Sequence, residues 1–401
     1  MRRSGQGSGR SLQKFKKARG FHPKSPLFEC KIQLCQKGFE NCWVVCTKYL
    51  IFFRFCDKIE EIKHTNRLRT DETHKKEEDV MKHIFVINPA AGKANSYEVI
   101  RNALDAMENK VDYEIYRTQA PGDATAYIRE YCRTHEERVR FYACGGDGTL
   151  NEVVNGVVGF PHASMGCYPC GSGNDFVKYY GGKKQFLNVE AIVNAKEEYI
   201  DLMRVGNKYS INATHFGFDS CAAQVMMNVR RKKLIGGKNA YTTGVVVGLF
   251  KAMKNDCKVW VDGELLNPGG KILLCTIANG QYVGGSLRCA PRSLDNDGLL
   301  EVCLVRPISR LRFVSLAHYY TEGPHLDDPK FEKIVEYRRG KSVHVEAPEG
   351  FIYAFDGELI RQNNFTVEVV PDAIRFAVPE GANPIMGEAH VAKPVEDAVA
   401  F

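Results

Sequence analysis

Phe141-Tyr142-Ala143-Cys144-Gly145-Gly146-Asp147-Gly148-Thr149-Leu150-Asn151-Glu152-Val153-Val154-Asn155-Gly156 opens as a short apolar strand, drops into three glycines around an aspartate, and leaves through Thr149 into a helix. Leu150, Val153, Val154 and Val157 recur at helical spacing and mark its buried face. A strand ending in a glycine turn at the head of a helix is how α/β proteins hold phosphate. Backbone N–H groups point outward, the helix dipole favours negative charge, and glycine admits a ligand where a Cβ would block it. A plain βα turn with a capped helix uses the same pieces. Here, however, Asp147 sits inside the turn, Thr149 is placed to cap, and Asn151 and Glu152 follow in the first helical turn. The stretch predicts a phosphate cradle.

Working outward, Lys82 to Ile87 reads as a buried strand, followed by the turn Asn88-Pro89-Ala90-Ala91-Gly92-Lys93 and a helix from Ser96 to about Asn109. Tyr113 to Arg117 is a second strand, and a helix runs on through Tyr131. Strand, helix, strand, helix, strand and then the glycine turn is the order of a parallel sheet. Ligands of such sheets sit beyond the C-terminal strand ends, where both Asn88–Lys93 and Gly145–Thr149 fall. Two readings stand for Thr118: a contact to the nucleotide, or part of a loop whose following helix is capped by Asp123. A second glycine element, Gly171-Ser172-Gly173-Asn174-Asp175-Phe176, follows the stretch Ser164 to Cys170.

The pair of elements G-G-D-G-T-L-N-E-V-V-N-G and G-S-G-N-D-F resembles the signature of the diacylglycerol kinase catalytic-domain family, which includes bacterial soluble lipid kinases and is similar to sphingosine and ceramide kinases. Ser172 stands where the family has Thr, keeping a hydroxyl. The opening Asn-Pro-x-x-Gly-Lys is similar to the family's first nucleotide-binding element. The resemblance covers about Met81 to Val378. It implies an α/β nucleotide-binding domain of the phosphofructokinase and NAD-kinase type, followed by a mainly antiparallel β-sandwich. It also implies ATP and Mg²⁺ as cofactors and a lipid hydroxyl as acceptor. Nucleotide binding would fall to Asn88, Pro89, Ala90, Ala91, Gly92, Lys93, Thr118, Gly145, Gly146, Asp147, Gly148, Thr149, Asn151, Glu152, Gly171, Ser172, Gly173, Asn174 and Asp175. Asp147 would orient or bind catalytic Mg²⁺, with a purely structural aspartate as the alternative.

In the second half, strands alternate with turns from 259 to 370, as in an antiparallel sandwich. Asp356-Gly357-Glu358 matches the family's D-G-E, where a carboxylate is the expected base; Asp356 and Glu358 both qualify. Asp262-Gly263-Glu264 has the same letters, but its place matches a plain hairpin with an Asp-Gly turn. Ala290-Pro291-Arg292-Ser293-Leu294-Asp295-Asn296-Asp297-Gly298-Leu299 resembles an element that holds structural magnesium in bacterial members. The resemblance implies Asp297 as ligand, with carbonyls from Leu294 and Leu299; Asn296, where Asp is common, leaves the site one charge poorer. Asp219 would help order the site or serve a structural turn. Tyr241 to Met253 is apolar but too short to span a membrane and reads as a core helix. The basic run Arg230-Arg231-Lys232-Lys233 with Lys238 suits an anionic bilayer or a solvated helix end. Ala373 to Val378 is expected to return to the first domain.

The chain of 401 residues has a net charge of +7, but residues 1–80 carry 18 Lys+Arg against 10 Asp+Glu, and the remainder 37 against 38. The basic excess therefore gives no argument for nucleic-acid binding by the main body. Fourteen cysteines are scattered, with Cys167 and Cys170 the sole C-x-x-C, which is the pattern of reduced thiols in a cytosolic protein. Residues 1–80 show no sustained period. A disordered basic extension, a peripheral anchor using Trp43, Phe52, Phe53 and Phe55, and a non-native translation upstream of a true start at Met81 are the three readings, the last favoured. The expected organisation is an extension over 1–80, a nucleotide domain over 81–210, an acceptor sandwich over 211–370, and a returning strand and tail over 371–401. The activity the resemblance implies is ATP-dependent phosphorylation of a lipid alcohol, diacylglycerol first, by a cytoplasmic protein peripheral to the inner face of the cell membrane; the sequence does not set the oligomeric state, for which the resemblance to bacterial members suggests a homodimer. An NAD kinase, a kinase of sphingoid or other lipid alcohols, and a non-catalytic nucleotide- or lipid-binding protein are the rivals.

Overall fold

A computed structural model describes residues 81–92, 95–229 and 240–386. The 1–80 segment, Lys93, the basic run 230–238 and the tail beyond 386 lie outside the described residues. Four parallel strands form the heart of the first domain: β1 (Lys82–Ile87), β2 (Tyr113–Arg117), β3 (Val139–Gly145) and β4 (Ala163–Pro169). They lie in the order β2-β1-β3-β4, so the connections leave β1 in opposite directions and open a crevice between the ends of β1 and β3. Every residue of β3 and β4 is buried, as expected for strands with both faces covered. The helices α1 (Ser96–Ala106), α2 (Asp123–Thr134) and α3 (Asp147–Val157) cover them. Ile100 and Leu104 of α1, Ile128 and Cys132 of α2, and Leu150, Val153, Val154 and Val157 of α3 are buried.

Two long strands carry this sheet into the second domain. β5 (Lys196–Val205) and the final strand Asn364–Val378 run antiparallel to each other along both halves. The final strand pairs with Ser342–Glu346 at one end and, through Phe376 opposite Met165, with β4 at the other. The expected return to the first domain is therefore made by a longer strand than 373–378, one that belongs to both halves. Its register with β5 shifts between Val370 and Ile374. Asp372 there has a φ of +49° and donates its N–H to Asp201 Oδ1 at 2.9 Å. Asp201 stands in the middle of β5 with no exposed surface, and its Oδ2 accepts the N–H of Gly298 at 2.6 Å.

β6 (Lys208–Ser210) leads into β7 (Ala213–Gly217), which enters a six-stranded antiparallel sheet. That sheet runs Val335–Gly340, Leu300–Val305, Leu274–Ala278, β7, Ile352–Phe355, Glu358–Arg361. It packs on the extended end of the first sheet through Phe216, Ile277, Val302, Val343, Val345 and Val367, the core of the sandwich. After β7, the helices α4 (Phe218–Val229) and α5 (Ala240–Lys251) lie side by side, with α6 (Arg310–Leu316) against Phe218 through Phe313. The apolar run expected as a core helix is α5, but Val246 and Phe250 on it face solvent.

Candidate active site

Three turns meet beyond the ends of β1, β3 and β4. Asn88, just after β1, accepts the N–H of Ala90 on its Oδ1 at 2.9 Å and donates from Nδ2 to Thr149 Oγ1 at 3.1 Å. Gly92 has a φ of +76°, and a Cβ there would stand 2.7 Å from the carbonyl oxygen of Cys170. Gly171 approaches so closely that a Cβ on it would lie 2.4 Å from Gly146 Cα. Glycine is needed at both places because another turn occupies the space. Asn174 takes the left-handed conformation at φ +50°, held by its own side chain on the N–H and carbonyl of Gly171.

Asp147 joins the two glycine turns. Its Oδ2 accepts the N–H of Asn174 at 2.8 Å and its Oδ1 the N–H of Asp175 at 2.6 Å. Burial, and then the neighbouring Asp175 carboxylate, raise its pKa. Asp175 has the Lys178 ammonium as its counter-charge, which leaves Asp147 as the carboxylate at the head of the helix that a bound cation would favour. α3 begins at Asp147 with Gly146 as its N-cap and no side-chain cap, leaving first-turn N–H groups available to an anion. Thr149, expected to cap, is instead buried within the first turn with its hydroxyl turned to Asn88. Gly148 and Ser172 are exposed at the mouth.

Several residues expected to touch nucleotide serve as struts. Glu152 accepts the N–H groups of Gly122 and Ala124 at 2.9 and 3.2 Å and so caps α2. Gly122 is the N-cap there, and Asp123 folds back onto the N–H of Gln119 at 2.7 Å. Thr118 closes onto the carbonyl of Ile87 at the end of β1. Asp175 accepts the N–H of Gly285 and the ammonium of Lys178, which also donates to the Gly285 carbonyl at 2.7 Å. Asn151 reaches across to Asp356 Oδ2 at 2.9 Å. Lys178 was missed by the motif reading. Its signal is the i,i+3 spacing from Asp175 along the 3₁₀ turn Phe176–Tyr180.

The two D-G-E hairpins turn alike, with φ of +49° and +86° at Asp262-Gly263 and +45° and +86° at Asp356-Gly357. Their surroundings differ. Asp262 accepts only the exposed N–H groups of Lys341 and Ser342. Asp356 accepts from Ser210 Oγ (2.6 Å), Asn151 Nδ2, and the N–H groups of Ile211, Asn212 and Ala213. Burial nevertheless raises its pKa, against the pull of Ser210 and Asn151. Glu358 stands 60% exposed at the same hairpin, 3.2 Å from Lys208. Asp356 thus ties the acceptor hairpin to α3, and Glu358 keeps its carboxylate open.

Asp297 does not fit the expected magnesium site. Its Oδ1 accepts the N–H of Leu299 at 3.0 Å, and its Oδ2 is paired with the Arg339 guanidinium. Strand register sets Arg339 opposite Glu301, which is buried and needs a counter-charge. A guanidinium therefore stands where a cation would neutralise Asp297, and the Leu294 and Leu299 carbonyls lack the carboxylate they would share a metal with. Asp297→Asn is expected to leave the response of the melting temperature to excess Mg²⁺ over EDTA the same as the parent's. A Mg²⁺-dependent rise present in the parent and lost in Asp297→Asn would show that Arg339 yields to a metal.

Asp219, in the first turn of α4, has a buried Oδ2 with no hydrogen-bond partner among the described residues, and burial raises its pKa from 3.8 to about 7. An acid with a raised folded pKa binds more protons folded than unfolded between those values, so its contribution is most favourable below 3.8 and is lost as pH rises through about 7. The difference amounts to on the order of 4 kcal/mol. Asp219→Asn is expected to melt higher than the parent at pH 8 and to lose that advantage near pH 4; equal pH profiles would contradict the burial.

Comparison with known proteins finds likenesses for both halves of the chain. Residues 82–205 match the family described as the diacylglycerol kinase catalytic domain, and residues 212–378 the YegS C-terminal NAD kinase beta sandwich-like domain. A protein of Alcanivorax borkumensis named "Probable lipid kinase YegS-like" is 25% identical over 299 residues, covering 74% of this chain and 97% of that one. The diacylglycerol kinase of Bacillus subtilis is 26% identical over 280 residues, covering 68% and 88%. The crystal structure of a diacylglycerol kinase from Bacillus anthracis str. Sterne superposes with a TM-score of 0.57 at 19% identity, over 75% of this chain and 98% of that one, a likeness of fold. Among the described residues, no helix is long and apolar enough to cross a membrane.

Proposed function

Since the chain belongs to the diacylglycerol kinase catalytic-domain family of lipid kinases, we propose that it transfers the γ-phosphate of ATP to the free hydroxyl of diacylglycerol, giving phosphatidic acid at the membrane surface. The observation that carries this reading is the chain of contacts from the phosphate cradle to the acceptor hairpin. Asp147 clasps the second glycine turn, and Asn151, one turn along α3, holds Asp356. Phosphoryl transfer requires chiefly positioning and neutralisation of charge, with a base beside the acceptor. The N–H groups at the head of α3 and the turns at Gly171–Gly173 take the phosphates. Asp147 is the carboxylate that would hold Mg²⁺, which when bound offsets phosphate charge. Glu358 takes the proton from the lipid hydroxyl as its oxygen bonds to the γ-phosphorus and the bond to the β-phosphate oxygen breaks, releasing ADP. Asp356, saturated with donors, positions the hairpin.

The test is transfer from labelled ATP by the full chain in mixed micelles containing diacylglycerol. Labelled phosphatidic acid is expected. Product only with a sphingoid base or a polyprenol would move the acceptor, and product only with NAD would overturn the reading.

A further inference from the structure

We propose that the outer face of α4, α5 and α6 seats the enzyme on an anionic bilayer. Nine large apolar residues are exposed among the described residues, and five of them fall on these three helices: Met227 on α4, Val246 and Phe250 on α5, Leu311 and Val314 on α6. The other four are scattered singly through the chain, which is ordinary for a surface. Phe250 is 73% and Leu311 86% exposed.

The patch is held as one surface. Arg310, at the start of α6, donates from Nε to the carbonyl of Leu249 at 2.6 Å, and its guanidinium lies 5.9 Å from the Phe250 ring centroid. Phe313 and Leu316 of α6 face inward to join Phe218, Val245 and Leu249, while Leu311 and Val314 face out. α6 has no fully buried residue. Leu311 and Val314, on the outer side of this short helix, gain nothing from water there.

Charge selects the occupant. α4, α5 and α6 carry Lys251, Arg310 and Arg312; Lys254 follows α5, and Asp256 just beyond it is paired with Lys271. The three helices' sole carboxylate, Asp219, has its free oxygen buried beneath α4. Apolar side chains on helices that themselves carry cations and no exposed acid suit the headgroup region of an anionic leaflet better than a polar protein surface. The patch is also connected to the chemistry. β7 runs from Ala213, whose N–H binds Asp356, to Gly217, directly before α4, a rise of roughly 13 Å. A lipid entering from a bilayer under these helices would present its head toward the hairpin that carries Glu358.

This inference rests on the proposed lipid acceptor, and the experiment separates the two. The full chain, the double variant Phe250→Glu/Leu311→Glu and Arg312→Glu are sedimented with vesicles of phosphatidylcholine alone and of phosphatidylcholine mixed with phosphatidylglycerol. Each is also assayed on long-chain diacylglycerol in those vesicles and on water-soluble dihexanoylglycerol. The parent is expected to bind the anionic vesicles. The double variant is expected to bind them about tenfold or more weakly, and Arg312→Glu about fivefold more weakly. Both variants would retain turnover of dihexanoylglycerol and lose it on vesicles. Parent-like vesicle binding by the double variant, or no vesicle binding by the parent, would overturn the proposal. So would a dimer in sedimentation velocity that the double variant splits, since the face would then join two copies. Loss of vesicle binding with no diacylglycerol turnover by any protein would keep the docking face and refute the acceptor.

Discussion

Glu358→Gln is expected to lower kcat about 10²–10⁴-fold, the range for removing a general base, with an unchanged melting temperature and ATP affinity. The side chain is largely exposed, and its one ion pair, with Lys208, joins two exposed groups, so the fold depends little on it. Asp356 should behave in the opposite way. It accepts five hydrogen bonds from β6, the turn after it, β7 and α3. Asp356→Ala would leave buried donors without an acceptor, at about 1–3 kcal/mol for each group that water cannot reach. It should therefore melt lower and lose kcat together with acceptor KM, because the hairpin moves. A base would show the reverse. If Asp356→Asn alone flattened the acid limb of the pH–rate profile, with Glu358→Gln near wild-type rate, the roles assigned to the two carboxylates would be exchanged.

The contrast between these carboxylates also marks where sequence reasoning stops. The glycine turns could be read from sequence because glycine and Asn-Pro punctuate a chain locally, and strand–turn–helix order is a local property. The parallel order of β1 to β4 and the sandwich after them follow from such local signals. Asp262 and Asp356 share both letters and backbone turn, and only tertiary neighbours separate them. Arg339 escaped notice because cross-strand register, which sets it against Glu301 and Asp297, is written in no short motif. Nothing local indicates that β5 continues beneath both domains. α5 read as core because an apolar run reports hydrophobicity on every face, while burial depends on what packs against each face. The motif holding Glu152 and Thr149 does not show their protein partners: their side chains bind α2 and Asn88, elements distant in the chain.

Asp147→Ala is expected to reduce kcat/KM by at least about 10³-fold, combining a lost electrostatic partner of the phosphates with displacement of the second glycine turn. The effect on stability should be much smaller, because two contributions oppose each other. The substitution frees the N–H groups of Asn174 and Asp175, which destabilises the fold. It also removes a half-buried carboxylate from beside Asp175, a pair whose repulsion already raises the pKa of Asp147. Asp147→Asn divides the two contributions, since a carboxamide oxygen can still accept one N–H but carries no charge. Near-parental melting with activity as low as the alanine variant would assign the loss to charge. Recovery of most of the activity in Asp147→Asn would make Asp147 a clasp for the turn and not a cation ligand. Gly171→Ala approaches the same junction from the other side. Its methyl would lie 2.4 Å from Gly146 Cα, so the turns must separate even with Asp147 in place. ATP KM should then rise about tenfold or more while the acceptor hairpin and Glu358 stay untouched. Unaltered ATP binding in Gly171→Ala would mean that contact between the two turns does not shape the phosphate site.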